Sequence, residues 1–116
     1  NATIARIHML GKPVIVHICG KVNPICESLK RLDSEGISVD SVVNIQEMRN
    51  AIPGKKLMGN VSTILLQNGP VDKIQKISRD LLDSGVDILA PACGLSAKTP
   101  VRHIKAMTET ARAGMQ

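Results

Sequence analysis

The sequence contains no phenylalanine, tyrosine or tryptophan. A core must therefore be assembled from Val, Ile, Leu and Met, and there is no ring on which unpaired bases could stack, so a single-stranded nucleic-acid partner is excluded from the reading. Long apolar runs are missing as well. None approaches the ~18 residues a membrane span requires, and no basic segment followed by an apolar stretch marks a secretion signal, so the expected location is cytoplasmic, with no membrane partner. Cysteine is scarce: three residues, an odd number, which argues against a disulfide framework and leaves metal or thiol chemistry. Clustered charge is absent too. The 15 Lys and Arg outnumber the 10 Asp and Glu, yet adjacent basic residues occur only at Lys30-Arg31 and Lys55-Lys56. That excess reads as a solvated basic surface whose modest field helps to gather small anions.

What is present is ordinary for a folded protein. Hydrophobic residues make up 43% and charged residues 22% of 116 positions, close to globular averages. The length allows one core but falls well short of the ~250 residues of a complete (β/α)₈ barrel. The chain is read as a single partial domain over residues 1–116, with Asn1 and Ala2 set aside.

Short apolar runs bounded by Pro, Gly and Asp alternate with segments of helical period, the pattern of a parallel sheet covered by helices. Four units can be drawn. A strand over 13–18 precedes a helix over 23–35, with Ile25, Leu29 and Leu32 on one face and Gly36 in a left-handed terminating position. A strand near 39–43 precedes a short helix carrying Ile45, Met48 and Ile52, ended by Pro53-Gly54. A third strand over 56–59 leads through Asn60 and a loop to a helix over 71–84, closed by Gly85. A fourth strand over 86–90 is followed by a helix opening with Thr99 as N-cap and Pro100 at N1 and running to about Ala113. Four such parallel strands fit a small open sheet or half of a barrel. A half barrel exposes two strand edges, through which two copies could pair as a homodimer.

His17 and Cys19 are two residues apart on a strand, so their side chains share one face. They lie at its C-terminal end, and Cys93 follows the last strand at the corresponding end, where α/β barrels place their chemistry. One imidazole and two thiolates suit zinc, and three ligands leave a fourth position open. The competing reading is that these cysteines are small buried hydrophobes. Cys26, His8 and His103 are expected to be structural or surface residues. Asp40 and Asp87 are expected at turns or strand entries. Asn60, beside Gly59, is a candidate substrate contact or a turn residue.

The stretches Val16-His17-Ile18-Cys19-Gly20, Gly59-Asn60 and Ala90-Pro91-Ala92-Cys93-Gly94-Leu95, with Thr99-Pro100, resemble the methylcobamide:coenzyme M methyltransferase branch of the uroporphyrinogen decarboxylase superfamily over about residues 12–112. The resemblance implies the C-terminal half of a (β/α)₈ TIM barrel, with about four parallel strands and covering helices. It further implies zinc on His17, Cys19 and Cys93, and methyl transfer from methylcobamide, delivered on a corrinoid protein, to the thiol of coenzyme M in methanogenesis. The alternatives are a decarboxylase-like relative, whose branch is not marked by this trio, and a non-catalytic half-barrel fragment.

Overall fold

The computed structural model describes residues 1–114. Four strands, β1 (Ile15–Ile18), β2 (Gly36–Val39), β3 (Lys56–Val61) and β4 (Ile88–Pro91), form one sheet in the order β1-β2-β3-β4 with every pairing parallel. Sequential parallel order requires a crossover after each strand. The connections are helical: a 3₁₀ turn (Asn23–Ile25) and α2 (Cys26–Lys30), then α3 (Ile45–Ala51), then α4 (Thr63–Asn68) with α5 (Val71–Asp83). Helix α1 (Ala2–His8) precedes the sheet and α6 (Val101–Gly114) follows it.

Alternation along the strands assigns the two faces. Val16, Ile18, Ile37, Val39 and Leu57 pack with Leu29, Val43, Ile45, Met48 and Ile52 of the crossovers in one apolar cluster. A second cluster joins Val61, Leu66, Ile74, Ala106 and Met107. Aliphatic side chains alone thus fill the core, as the lack of aromatics requires. The opposite face carries Ile15 and Ile88, 43% and 41% exposed, and His17, which shares one cross-strand row with Ser38, Met58 and Ile88. In a closed barrel that face lines the interior.

Local chemistry explains most boundaries. Asn44 caps α3 by accepting a hydrogen bond from the Glu47 amide at 3.1 Å, and Pro53 prevents its continuation. Ser62 caps α4 in the same way through the Leu65 amide. Gly85, at φ +98°, ends the turn after α5. Gly59 is required where it stands: its φ is +136°, and a Cβ there would lie 3.0 Å from the Val39 carbonyl oxygen.

Besides shifts of one or two residues at the ends of β1, β3 and β4, and helix α1, which was not expected, the sequence-based reading fails in five places. The second strand occupies Gly36–Val39, three residues before its expected start. Gly36 is consequently a strand residue and not a left-handed cap; its Cβ position lies 3.1 Å from the Lys56 carbonyl oxygen, so tight strand packing explains the glycine. The helix expected over 23–35 reduces to α2 and its 3₁₀ lead-in, because the chain must turn back into β2 by Gly36. Residues 63–68, expected as loop, form α4. Finally, Thr99 Oγ1 is buried without a hydrogen-bond partner, so the expected cap on α6 is not made.

Candidate metal centre

Strand β1 presents His17 on the inner face and delivers Cys19 one residue past its end, while Cys93 lies two residues beyond β4. These are the two border strands. Across a flat sheet, three interstrand steps of about 4.8 Å would separate them by about 14 Å. The sulfurs of Cys19 and Cys93 are nevertheless 3.9 Å apart, so sheet curvature and the β4 loop bring opposite edges together. His17 Nε2 is 3.3 Å from Cys19 Sγ, and the three ligand atoms lie within 4.8 Å of one another. Among the described residues this is the one such group of three.

Two of the three ligand-atom spacings fit zinc. Tetrahedral zinc with Zn–S near 2.3 Å and Zn–N near 2.0–2.1 Å places two sulfurs about 3.8 Å apart and nitrogen about 3.5 Å from sulfur. The separations between Cys19 and its two neighbours agree with those values within about 0.3 Å. All three residues are exposed on the inner face of this partial barrel. The Cys93 sulfur, through hydrogen bonding and then charge repulsion, pushes the Cys19 thiol above its ordinary pKa; desolvation and the Asp40 carboxylate add to the effect. Without a cation, the pair therefore resists carrying two negative charges, and a divalent ion is what would relieve that repulsion.

Residues of β2 and the loop after it bond to His17 and to Gly20 beside Cys19. Ser38 Oγ lies 2.9 Å from His17 Nδ1. The Gly20 amide, next to Cys19, donates to Asp40 Oδ2 at 2.9 Å, and that bond is the leading reason the Asp40 carboxyl is held below its usual range. Asn60 is not in a turn: it lies in β3, 5% exposed. Its side-chain amide donates to the carbonyls of Asp40 and Val43, each at 2.8 Å, which fixes the loop after β2. Asn60 also lines an open groove with Ser41, Asn44, Ser62 and Lys73.

The remaining candidates fall outside the centre. Cys26 packs against the first core cluster. His103 is buried on α6, with Nδ1 2.7 Å from the Leu66 carbonyl oxygen. His8 pairs with Glu35 at 3.0 Å. Asp87 stands at the entry to β4, accepting from the Leu57 amide at 2.8 Å and pairing with Arg49 and Lys56. Ser38 and the Asp40 carboxylate were not expected beside the trio. Alternation along a correctly placed β2 would have put Ser38 on the face of His17.

A parallel α/β sheet with covering helices, carrying one imidazole and two thiols at the C-terminal ends of its strands, defines a portion of a (β/α)₈ barrel with a metal-competent cluster. The chain belongs to the uroporphyrinogen decarboxylase (URO-D) family, whose model matches residues 1–114. It is 39% identical over 101 residues to a methylcobamide:CoM methyltransferase, MtaA, of Methanosarcina barkeri, covering 80% of this chain and 28% of that protein. It is 30% identical over 99 residues to the methylcobamide:CoM methyltransferase MtbA of Methanosarcina acetivorans, covering 84% and 29%. A solved methyltransferase from Methanosarcina mazei superposes with a TM-score of 0.84 at 34% identity, covering 90% of this chain and 32% of that one. The chain thus spans less than a third of the length of these relatives.

Proposed function

We propose that the complete protein transfers a methyl group from a methylated corrinoid to the thiol of coenzyme M, with zinc held by His17, Cys19 and Cys93. The convergence of these ligand atoms from opposite borders of the sheet carries this reading; the methyltransferase relatives support it. Bound zinc would hold the acceptor thiol as its thiolate at neutral pH, through the fourth position that three protein ligands leave open.

The chain's own residues do the rest. His17 has Nε2 3.3 Å from Cys19 Sγ and would bind zinc through that nitrogen. Cys19 and Cys93 supply two negative charges that keep the acceptor sulfur electron-rich. In the transfer, a sulfur lone pair forms the new S–CH₃ bond while the cobalt–carbon bond breaks with its electron pair to cobalt. The products are the methyl thioether and cob(I)amide, and the thiol proton passes to solvent. Asn60 is proposed as a substrate contact through its side-chain carbonyl oxygen, which would accept from an amide N–H of the corrinoid, since its own amide hydrogens are committed to the carbonyls of Asp40 and Val43.

The reading places the protein in the cytoplasm, in methanogenesis, receiving its methyl group from a corrinoid protein. Among the described residues, no helix is long and apolar enough to cross a membrane. Where the segment stands alone, the open edges of β1 and β4 are proposed to pair two copies as a homodimer; sedimentation of the segment as a monomer would contradict that pairing.

The test is conversion of methylcobalamin and coenzyme M by the full-length protein, followed by loss of the methyl–cobalt absorbance and by mass of the methylated thiol. Activity in the native protein and none in Cys93→Ala is expected. An equal rate in Cys93→Ala, or no methyl transfer alongside decarboxylation of uroporphyrinogen, would overturn the reading.

A further inference from the structure

The inner-face hydroxyl of Ser38 has a neighbour that gives it a task. Ser38 is paired directly with His17 in the β1–β2 ladder, and the two side chains meet at 2.9 Å, Ser38 Oγ to His17 Nδ1. Ser38 is 6% exposed, so the hydroxyl is held in place by its surroundings, while His17 beside it is open to solvent. On its far side, the same imidazole has Nε2 3.3 Å from Cys19 Sγ.

Two proton arrangements satisfy those distances. With hydrogen on Nε2, the ring would donate to Cys19, accept from Ser38, and have no lone pair facing the cysteines. With hydrogen on Nδ1, the ring donates to Ser38 Oγ and turns the Nε2 lone pair toward Cys19 and Cys93. Only the second arrangement makes His17 a ligand at the cluster. A neutral imidazole that binds metal through one nitrogen usually donates its other N–H to a fixed acceptor, and such outer partners sharpen both tautomer and ring direction.

We propose that Ser38 is a positioning residue for the metal centre: its hydroxyl accepts the His17 Nδ1 hydrogen, fixing the ring with Nε2 toward the cysteine sulfurs. This rests on the zinc reading of His17, Cys19 and Cys93, and extends it to a residue that touches neither zinc nor substrate. The strand supplies the precision, because a hydroxyl on a buried β2 position moves far less than one on a loop. The effect is local to the imidazole. The Cys19 arm is tethered separately, through the Gly20 amide and Asp40.

The experiment uses the full-length protein in native, Ser38→Ala, Ser38→Thr and Ile37→Val forms. Ile37 is the adjacent β2 residue on the helix-facing side and is fully buried, so Ile37→Val loosens the strand without touching His17. Zinc affinity is measured by chelator competition, and the His17 tautomer by ¹⁵N imidazole spectra of the metal-free protein. Ser38→Ala should bind zinc about 10–100-fold more weakly and lose the Nδ1–H preference of the native ring. Ser38→Thr, which keeps the hydroxyl, should recover most of both, and Ile37→Val should leave both unchanged. Zinc binding and tautomer in Ser38→Ala equal to native would overturn the proposal. So would equal weakening in Ser38→Ala and Ile37→Val, which would trace the effect to strand stability. Failure of the native protein itself to bind zinc is a separate result and would overturn the functional reading.

Discussion

At the scale of single residues, backbone conformation and hydrogen-bond partners give the sequence its local constraints. Gly59 combines a positive φ with a Cβ position 3.0 Å from the Val39 carbonyl oxygen. Gly59→Ala should therefore cost about 1–3 kcal/mol of stability, read as a lower urea midpoint; an unchanged midpoint would show that β3 relaxes without strain. The convergence of His17, Cys19 and Cys93 was legible because all three are metal-ligand types at strand C-terminal ends and because alternation puts His17 and Cys19 on one face. Asn60 was legible only as a position beside Gly59. Its burial, and the use of its amide to grip two carbonyls of the β2–α3 loop, depend on β3 extending to Val61, which an Asn in the sequence does not suggest. Ser38 carried no signal of its own, since a strand serine is common and its meaning comes from the histidine paired with it.

At the scale of elements, four strands and the helices around Ile45–Ile52, 71–84 and 101–113 followed from hydrophobic period and from Pro and Gly stops. Helix α3 shows why boundaries with side-chain caps are the readable ones: Asn44 accepts from Glu47 three residues on, and Pro53 closes the far end. Asn44→Ala should lower stability by about 1 kcal/mol, measured by urea unfolding; no change would mean that solvent replaces the cap at no cost. The misplaced second strand has a physical cause. Gly36 resembles a helix stop in sequence, yet here it is small because Lys56 of the neighbouring strand approaches it closely. Reading Gly36 as a stop lengthened the preceding helix and pushed the strand toward Val43, which hid the alternation that sets Ser38 beside His17. Helix α4 was missed because its six residues give too little period to distinguish it from loop.

At the scale of the whole molecule, the sheet is closed at its N-terminal end by an ionic lock and opens onto the cluster at the other. Burial opposes ionisation of Asp87, but the Leu57 amide together with Arg49 and Lys56 outweighs it and holds the carboxyl below its usual range. A lowered folded value means that this contribution is complete above the unfolded pKa of about 3.9 and is lost as pH falls through the folded value. The urea midpoint of the native protein should therefore drop more steeply below pH 4 than that of Asp87→Asn; parallel acid profiles would show the lock to be neutral. The curvature that joins the two borders of the sheet was not readable from sequence, because strand order and closure arise from packing and from chain beyond any local window. That curvature makes one site of ligands 74 positions apart, and the central claim rests on it. The most direct measurement is zinc stoichiometry of the full-length protein by elemental analysis, beside His17→Ala and Cys93→Ala. The expected result is one zinc per chain in the native protein and its loss in both variants. A native protein that takes up no zinc after reconstitution under reducing conditions, or variants that keep it, would contradict the assignment.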